Sequence, residues 1–285
     1  MPATELTFGV TLAVLAAALL HAGWNALLKA APGGDPLLDM ASVVAGSSLT
    51  GIVVAPFVGF PDVAAWKFAA ASSAIHFGYY VTLSQAYRTG DLSFAYPLMR
   101  GTAPLLVTVL GVVFLGEWPS VQGATGIALI SLGIVSIALV RRSGHPPAAA
   151  AWALTNAVII ALYTLIDGAG ARASNNPASY VVWLTILEAF PFLGWIFVRR
   201  GPAALTYLRH GWRRGLAGGA ASLAAYGIVL WAMTRAPVAA VAALRETSVL
   251  FAALIGTRLL KEGFGAQRAA GTALIVGGVV ALRLI

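Results

Sequence analysis

Two stretches of this chain, AYPLMRGTAP (residues 95–104) and AVAALRETSV (residues 240–249), each set an arginine inside an otherwise oily run. Arg100 and Arg245 stand 145 positions apart. A guanidinium near a bilayer centre costs about 2.5–3.5 kcal/mol on insertion scales, so such residues usually face a cavity or a partner. Its planar fork of donors grips a carboxylate or phosphate with two bonds. Two readings follow. Arg100 and Arg245 are paired donors for an anionic group, or they belong to a structural ion pair, for instance Arg100 with Glu246. Glu246 is then a counter-ion or a proton carrier.

Other polar residues recur at helical spacing. His21 and Asn25 lie four apart on one helical face, as do Tyr163 and Asp167 at an offset of 142. These are candidates to line one cavity from two sides, although Asp167 is also close enough to the end of its run to be a solvated boundary carboxylate. His76, Tyr80 and Ser84 form an i, i+4, i+8 stripe that Arg88 continues. A polar stripe on an oily helix should face protein or water. His21 and His76 are candidate proton-coupling groups because imidazole titrates near neutral pH; an interhelical hydrogen bond is the plain alternative for both. Tyr226 and Trp231 are candidates for the same path, with interfacial anchoring the default for Trp231. Glu117 and Glu262 read as structural, capping the short turns that follow them.

Several chemistries have no foothold. With no cysteine there is no thiolate nucleophile, disulfide or thiolate metal site. No G-x-x-x-x-G-K-[ST], G-x-S-x-G or H-E-x-x-H sequence occurs, so neither ATP-driven transport nor these catalytic sites are supported, and no cofactor or metal is implied.

The elements that must position these residues are read from composition. Of the 285 residues, 59% are hydrophobic and only 10% charged, against about 25% charged in a soluble domain. Mean hydropathy is +0.85. Apolar runs of about 20 residues recur along the whole chain, the mark of bilayer-crossing helices. Ten spans are expected, over residues 6–29, 38–60, 66–87, 92–115, 120–141, 149–171, 177–198, 214–234, 238–260 and 266–284. The first is too long for a signal peptide and lacks a basic start, so it reads as a retained span. The net charge of +8 fits basic residues that flank spans and meet anionic headgroups, not nucleic acid. Twelve Lys and Arg fall on one side of the expected topology and four on the other. The positive-inside rule then puts the twelve in the cytoplasm and both termini outside. The longest connection, residues 199–214, is expected to lie partly among the headgroups.

Sliding the chain by 145 residues aligns 95–133 with 240–278 without a gap, and 14 of the 39 pairs are identical. They include Arg100/Arg245, Thr102/Thr247, Glu117/Glu262, Gln122/Gln267 and Gly126/Gly271. Ala and Leu match by chance in apolar helices; Arg, Glu and Gln in one register do not. Five spans per copy is an odd number, so the second copy would enter the bilayer inverted. Inverted repeats are the architecture of many secondary transporters, with the substrate near the midplane between the halves.

The stretches GEWPSVQGATGIALISLGIV (116–135) and KEGFGAQRAAGTALIVGGVV (261–280) resemble the paired signatures of EamA-type proteins in the drug/metabolite transporter superfamily. LHAGWNALLKA (20–30) is similar to the first-span motif of that group. The resemblance covers the whole chain. It implies ten spans, a central cavity, export or exchange of small metabolites, and residence in a bacterial inner membrane. The family often has tryptophan where His21 stands and a proline in both copies of the fourth span; here Pro97 and Pro104 face only Ala242 and Val249, so a bend is expected in the first copy alone.

The expectation is therefore an all-α integral membrane protein of two inverted five-helix repeats, residues 1–145 and 146–285. It would carry a small anionic or zwitterionic metabolite by alternating access, with the bilayer as surroundings and proton coupling or exchange as energy source. Arg100, Arg245, His21, Asn25, His76, Tyr80, Tyr163 and Tyr226 would line the site, and Glu246 and Asp167 would couple or balance charge. The chain could act as monomer or homodimer. The competing class is an intramembrane enzyme acting on a lipid-linked anion, with Glu246, His21 or His76 as acid or base, although no spacing marks them out.

Overall fold

Helix starts and stops follow the local chemistry, and one half repeats the devices of the other. The Asp35 carboxylate accepts the N–H groups of Leu37 and Leu38 at 2.9 and 3.4 Å, and Pro36 follows it. The Asn176 side chain accepts from Ala178 and Ser179 at 3.1 and 3.3 Å, and Pro177 follows. Each pairs a capping oxygen with a proline whose missing N–H costs nothing at the first helical position. The two helices so begun end at Gly59 and Gly201, with φ of +70° and +55°, a backbone state that suits glycine.

The computed structural model describes residues 6–29, 35–90, 92–139, 146–252, 254 and 266–283. Every regular element among them is helical. In order they are α1 (Phe8–Lys29), α2 (Pro36–Val58), α3 (Trp66–Thr89), α4 (Leu92–Leu115), α5 (Val121–Leu139), α6 (Pro147–Ala173), α7 (Pro177–Arg200), α8 (Pro202–His210), α9 (Trp212–Met233), α10 (Val238–Arg245) and α11 (Ala266–Arg283), with a 3-10 turn at Val63–Ala65.

Six of these, α1, α2, α4, α6, α7 and α9, are long and apolar enough to cross a bilayer, where ten runs were expected. The other four depart for separate reasons. α3 has the length, 24 residues, but its polar stripe of Ser72, His76 and their neighbours dilutes its hydropathy. α5 and α11 are apolar but shorter. In the ninth run α10 ends at Arg245, and α-helix resumes at Ser248 after a turn at Glu246 and Thr247. Pro97 and Pro104, expected to bend the first copy, lie inside an α4 that runs unbroken from Leu92 to Leu115. The break falls in the other copy, where there is no proline.

The connection at 199–214 is not a loop but contains α8. Arg209 and His210 are exposed there, Ala204 is buried, and Tyr207 donates to Asp39 at 2.7 Å. Arg200, the last residue of α7, pairs with Asp35 at 2.8 Å, so the α7–α8 junction is tied to the start of α2 on both sides of Gly201. Partial burial and the Asp39 acceptor push the Tyr207 phenol up to about 12, so it stays a donor through the physiological pH range.

Two close helix crossings organise the bundle. α2 meets α9 through Gly46, Gly215 and Gly219, each with backbone of the other helix where a side chain would stand. α5 meets α11 through four glycines. A Cβ at Gly126 would lie 2.9 Å from the Gly278 carbonyl oxygen, and one at Gly278 would lie 2.7 Å from that of Gly126. Gly133 and Gly271 repeat the relation at 2.7 and 2.9 Å. Ile130 and Ile275, both fully buried, fill the space between. Small residues of this kind let membrane helices gain backbone packing that larger side chains would forbid. At the centre every residue from Val238 to Val249 is buried, so this segment has no lipid-facing stripe at all.

Candidate functional site

The turn after α10 has a local cause. Thr247 Oγ1 donates to the Leu244 carbonyl at 2.7 Å, and successive backbone bonds run from Thr247 N to Leu244 O, Val249 N to Glu246 O and Leu250 N to Thr247 O. This i to i−3 pattern is the tighter 3-10 geometry, which the competing hydroxyl favours.

Both arginines converge on the residue at that turn. Arg100 Nε lies 2.6 Å from Glu246 Oε2, a close ionic contact whose alignment falls short of a hydrogen bond. Arg245 donates through Nε and Nη2 to Glu246 Oε1 at 3.2 and 3.1 Å. The pairing of Arg100 with Glu246, weighed in the sequence as the structural alternative, is therefore present, but one carboxylate serves two guanidiniums. The group is buried (Arg100 4%, Arg245 5%, Glu246 0% exposed) and carries one positive charge without a partner within it. His21 Nε2 stands 3.2 Å from Arg100 Nη2. Arginine can only donate, so that imidazole nitrogen accepts. The Tyr96 ring lies under the same guanidinium, 5.6 Å away.

Of these groups, His21, Arg100 and Arg245 border a cavity of about 110 Å³. One water needs about 10–15 Å³ on this measure, so the space takes several waters or a small solute. Seven of the expected residues line it: Arg100, Arg245, His21, His76, Tyr80, Tyr163 and Tyr226. Three do not. Asn25 is half-buried and donates to the His21 carbonyl of its own helix at 2.7 Å. Glu246 sits behind the two arginines. Asp167, weighed as a solvated boundary residue, is fully buried, and accepts the hydroxyls of Tyr180, at 2.9 Å, and Tyr226. Trp231 is absent from the lining as well, and Arg235 lies 5.2 Å over its ring.

Glu188, which the sequence did not single out, is the one carboxylate in the lining among the described residues. It extends from the middle of α7, accepts from Tyr80 at 3.3 Å, and lies 3.6 Å from His76 Nδ1. That nitrogen is also 3.0 Å from both Ser72 Oγ and the Ser72 carbonyl. The His76 and Tyr163 rings lie 4.3 Å apart at a tilt of 30°, and Tyr79 meets Tyr163 edge to face at 5.7 Å, so the three form one aromatic cluster in the cavity lining. A carboxylate at mid-span should have drawn attention by cost alone. Among the described residues no group of three His, Cys, Asp or Glu is arranged to hold a metal.

Glu117, expected to cap the short turn that follows it, instead caps a distant helix: its Oε2 accepts Val238 N, the first N–H of α10, at 2.8 Å. Its other oxygen pairs with Arg172 at 2.6 Å, and Arg172 donates to the Met233 and Ala236 carbonyls at 2.8 and 3.3 Å. Its counterpart Glu262 lies outside the described residues.

Six apolar helices long enough to cross a bilayer, packed around a cavity with charged walls, are the make-up of a multi-pass membrane protein. A sequence model of the EamA-like transporter family matches residues 7–139 and again 147–284. The chain belongs to that family. A solved structure described only as "Crystal structure of protein" is similar in fold, with a TM-score of 0.76 and 19% identity over 97% of both chains. No curated protein matches the sequence.

Proposed function

We propose that the chain is a secondary transporter of a small anionic or zwitterionic metabolite, built from two inverted five-helix repeats (1–145 and 146–285) that cross a cell membrane ten times. The observation that carries this reading is the convergence of Arg100 and Arg245, matched across the repeat and both lining the cavity, on one buried carboxylate behind its wall. Two cations against one anion leave a positive charge that a substrate carboxylate or phosphate neutralises. The α5–α11 crossing supports an inverted relation between the halves. Gly126 meets Gly278 and Gly133 meets Gly271, while the repeat equates 126 with 271 and 133 with 278. A contact in which i meets j and j meets i is what a twofold axis generates.

The halves would rock about that axis and expose the arginines to each side in turn. Energy would come from proton coupling or exchange, in the export direction, with the basic face cytoplasmic. Flux of labelled amino acids, phosphonates, sugar phosphates and nucleobases into proteoliposomes, with and without a pH gradient, tests it. Anion flux should vanish in Arg100→Gln and Arg245→Gln; undiminished flux in both would sink the assignment. Because the chain has no cysteine, single cysteines placed beside Arg88 and Asp62 and labelled from one side read the orientation directly.

A further inference from the structure

The charged residues that reach the cavity are unevenly distributed. Arg100 and Arg245 stand on one wall with Glu246 behind them, and Glu188 comes from α7. Glu246 cancels one arginine and is itself sealed off, its side chain 1% exposed against 12% for Glu188. One positive charge and one negative charge are left, each facing the same space. Among the described residues Glu188 meets no arginine or lysine. Its neighbours are the Tyr80 hydroxyl and His76 Nδ1, at 3.6 Å, which is a cation only when the imidazole is protonated.

A carboxylate held inside a membrane bundle is costly without a cation close by. The surroundings of Glu188 suit one: Tyr80 and His76, the two residues in contact with the carboxylate, belong to an aromatic cluster with Tyr79 and Tyr163 that lines the same cavity. Resting on the reading of the arginines as an anion site, we infer that Glu188, with the Tyr80 hydroxyl, is a second subsite that binds the ammonium group of the substrate. The substrate is then a zwitterion that spans the cavity, its carboxylate or phosphonate on Arg100 and Arg245 and its amine on Glu188. A plain anion satisfies only half the site and leaves Glu188 uncompensated.

The test uses probe pairs that differ only in the amine: β-alanine against propionate, and 2-aminoethylphosphonate against ethylphosphonate, as labelled solutes in proteoliposomes of the full chain. The wild type should move at least one zwitterion about tenfold or more faster than its partner, the scale of one charge-assisted hydrogen bond. Glu188→Gln should erase that preference, Glu188→Asp should retain most of it, and Tyr80→Phe should reduce it a few-fold. A single symmetric gel-filtration peak for each variant separates lost selectivity from lost folding. Equal flux of both partners in the wild type overturns the inference, as does a preference that survives Glu188→Gln. A Glu188→Gln variant that loses only its response to a pH gradient makes Glu188 a proton site and overturns it too. In each case the anion site stands if Arg100→Gln and Arg245→Gln abolish flux, and fails separately if they do not.

Discussion

The middle of α4 and the segment from α10 to Leu250 share one sequence pattern and differ where it matters. Each has Arg, a variable residue and Thr in sequence, Arg100-Gly101-Thr102 and Arg245-Glu246-Thr247. In α4 the Thr102 hydroxyl donates four residues back, to Leu98 at 2.8 Å, and the helix continues. After α10 the Thr247 hydroxyl donates three residues back, and the helix breaks. At the variable position Gly101 lets α4 press against α5, since a Cβ there would meet Val135 Cγ2 at 2.7 Å. Glu246 instead supplies a carboxylate. The cation is therefore duplicated and its counter-ion is not. That asymmetry is what leaves the arginine group with a charge to offer.

The largest expected effect comes from removing the unmatched residue. Glu246→Gln leaves two guanidiniums buried together, and loss of a buried partner costs about 3–5 kcal/mol. A marked fall in thermal midpoint in detergent is expected; an unchanged midpoint would mean that the arginines find other acceptors. Next come the matched residues. Arg100→Gln and Arg245→Gln each leave Glu246 with one arginine and a neutral group, so each should fold while anion flux falls to background, a loss of about 100-fold at the upper worth of a charge-assisted bond. Near-wild-type flux in one alone would break the equivalence of the pair. Gly101→Ala should cost about 1–3 kcal/mol through overpacking on α5, read as a lower thermal midpoint. The smallest effect is Thr247→Val, about 1 kcal/mol for a lost hydrogen bond. Slower amide exchange at residues 246–250 is expected as the turn regularises, and faster exchange would show that the hydroxyl holds the turn together.

How much of this was legible in the sequence depends on whether a residue had a counterpart. The 145-residue offset marked Arg100 and Arg245, and seven expected residues do meet at one cavity. Glu188 has Val43 at the same offset, so a search guided by repetition passed over it. Its position, 11 residues from the start and 12 from the end of α7, was the signal to use. The break at Glu246 and Thr247 had no proline or glycine to announce it, because it depends on one hydroxyl choosing between two carbonyls. The reach of Glu117 to Val238 spans 121 residues and is a property of packing alone. α3 was legible as a polar stripe, yet the same stripe takes it out of the set of clearly apolar spans.

The crossing of α5 and α11 carries a consequence for how such a chain can change over generations. At Gly126, Gly133, Gly271 and Gly278 any side chain would run into a carbonyl of the opposite half. A substitution in one half is thus judged by the other, and neither can drift alone. The rest of the molecule escapes that mutual veto. There the halves differ: Glu246 stands where the first half has Gly101, and Ala242 and Val249 where it has Pro97 and Pro104. Four glycines hold the halves alike so that the cavity between them can be different on each side.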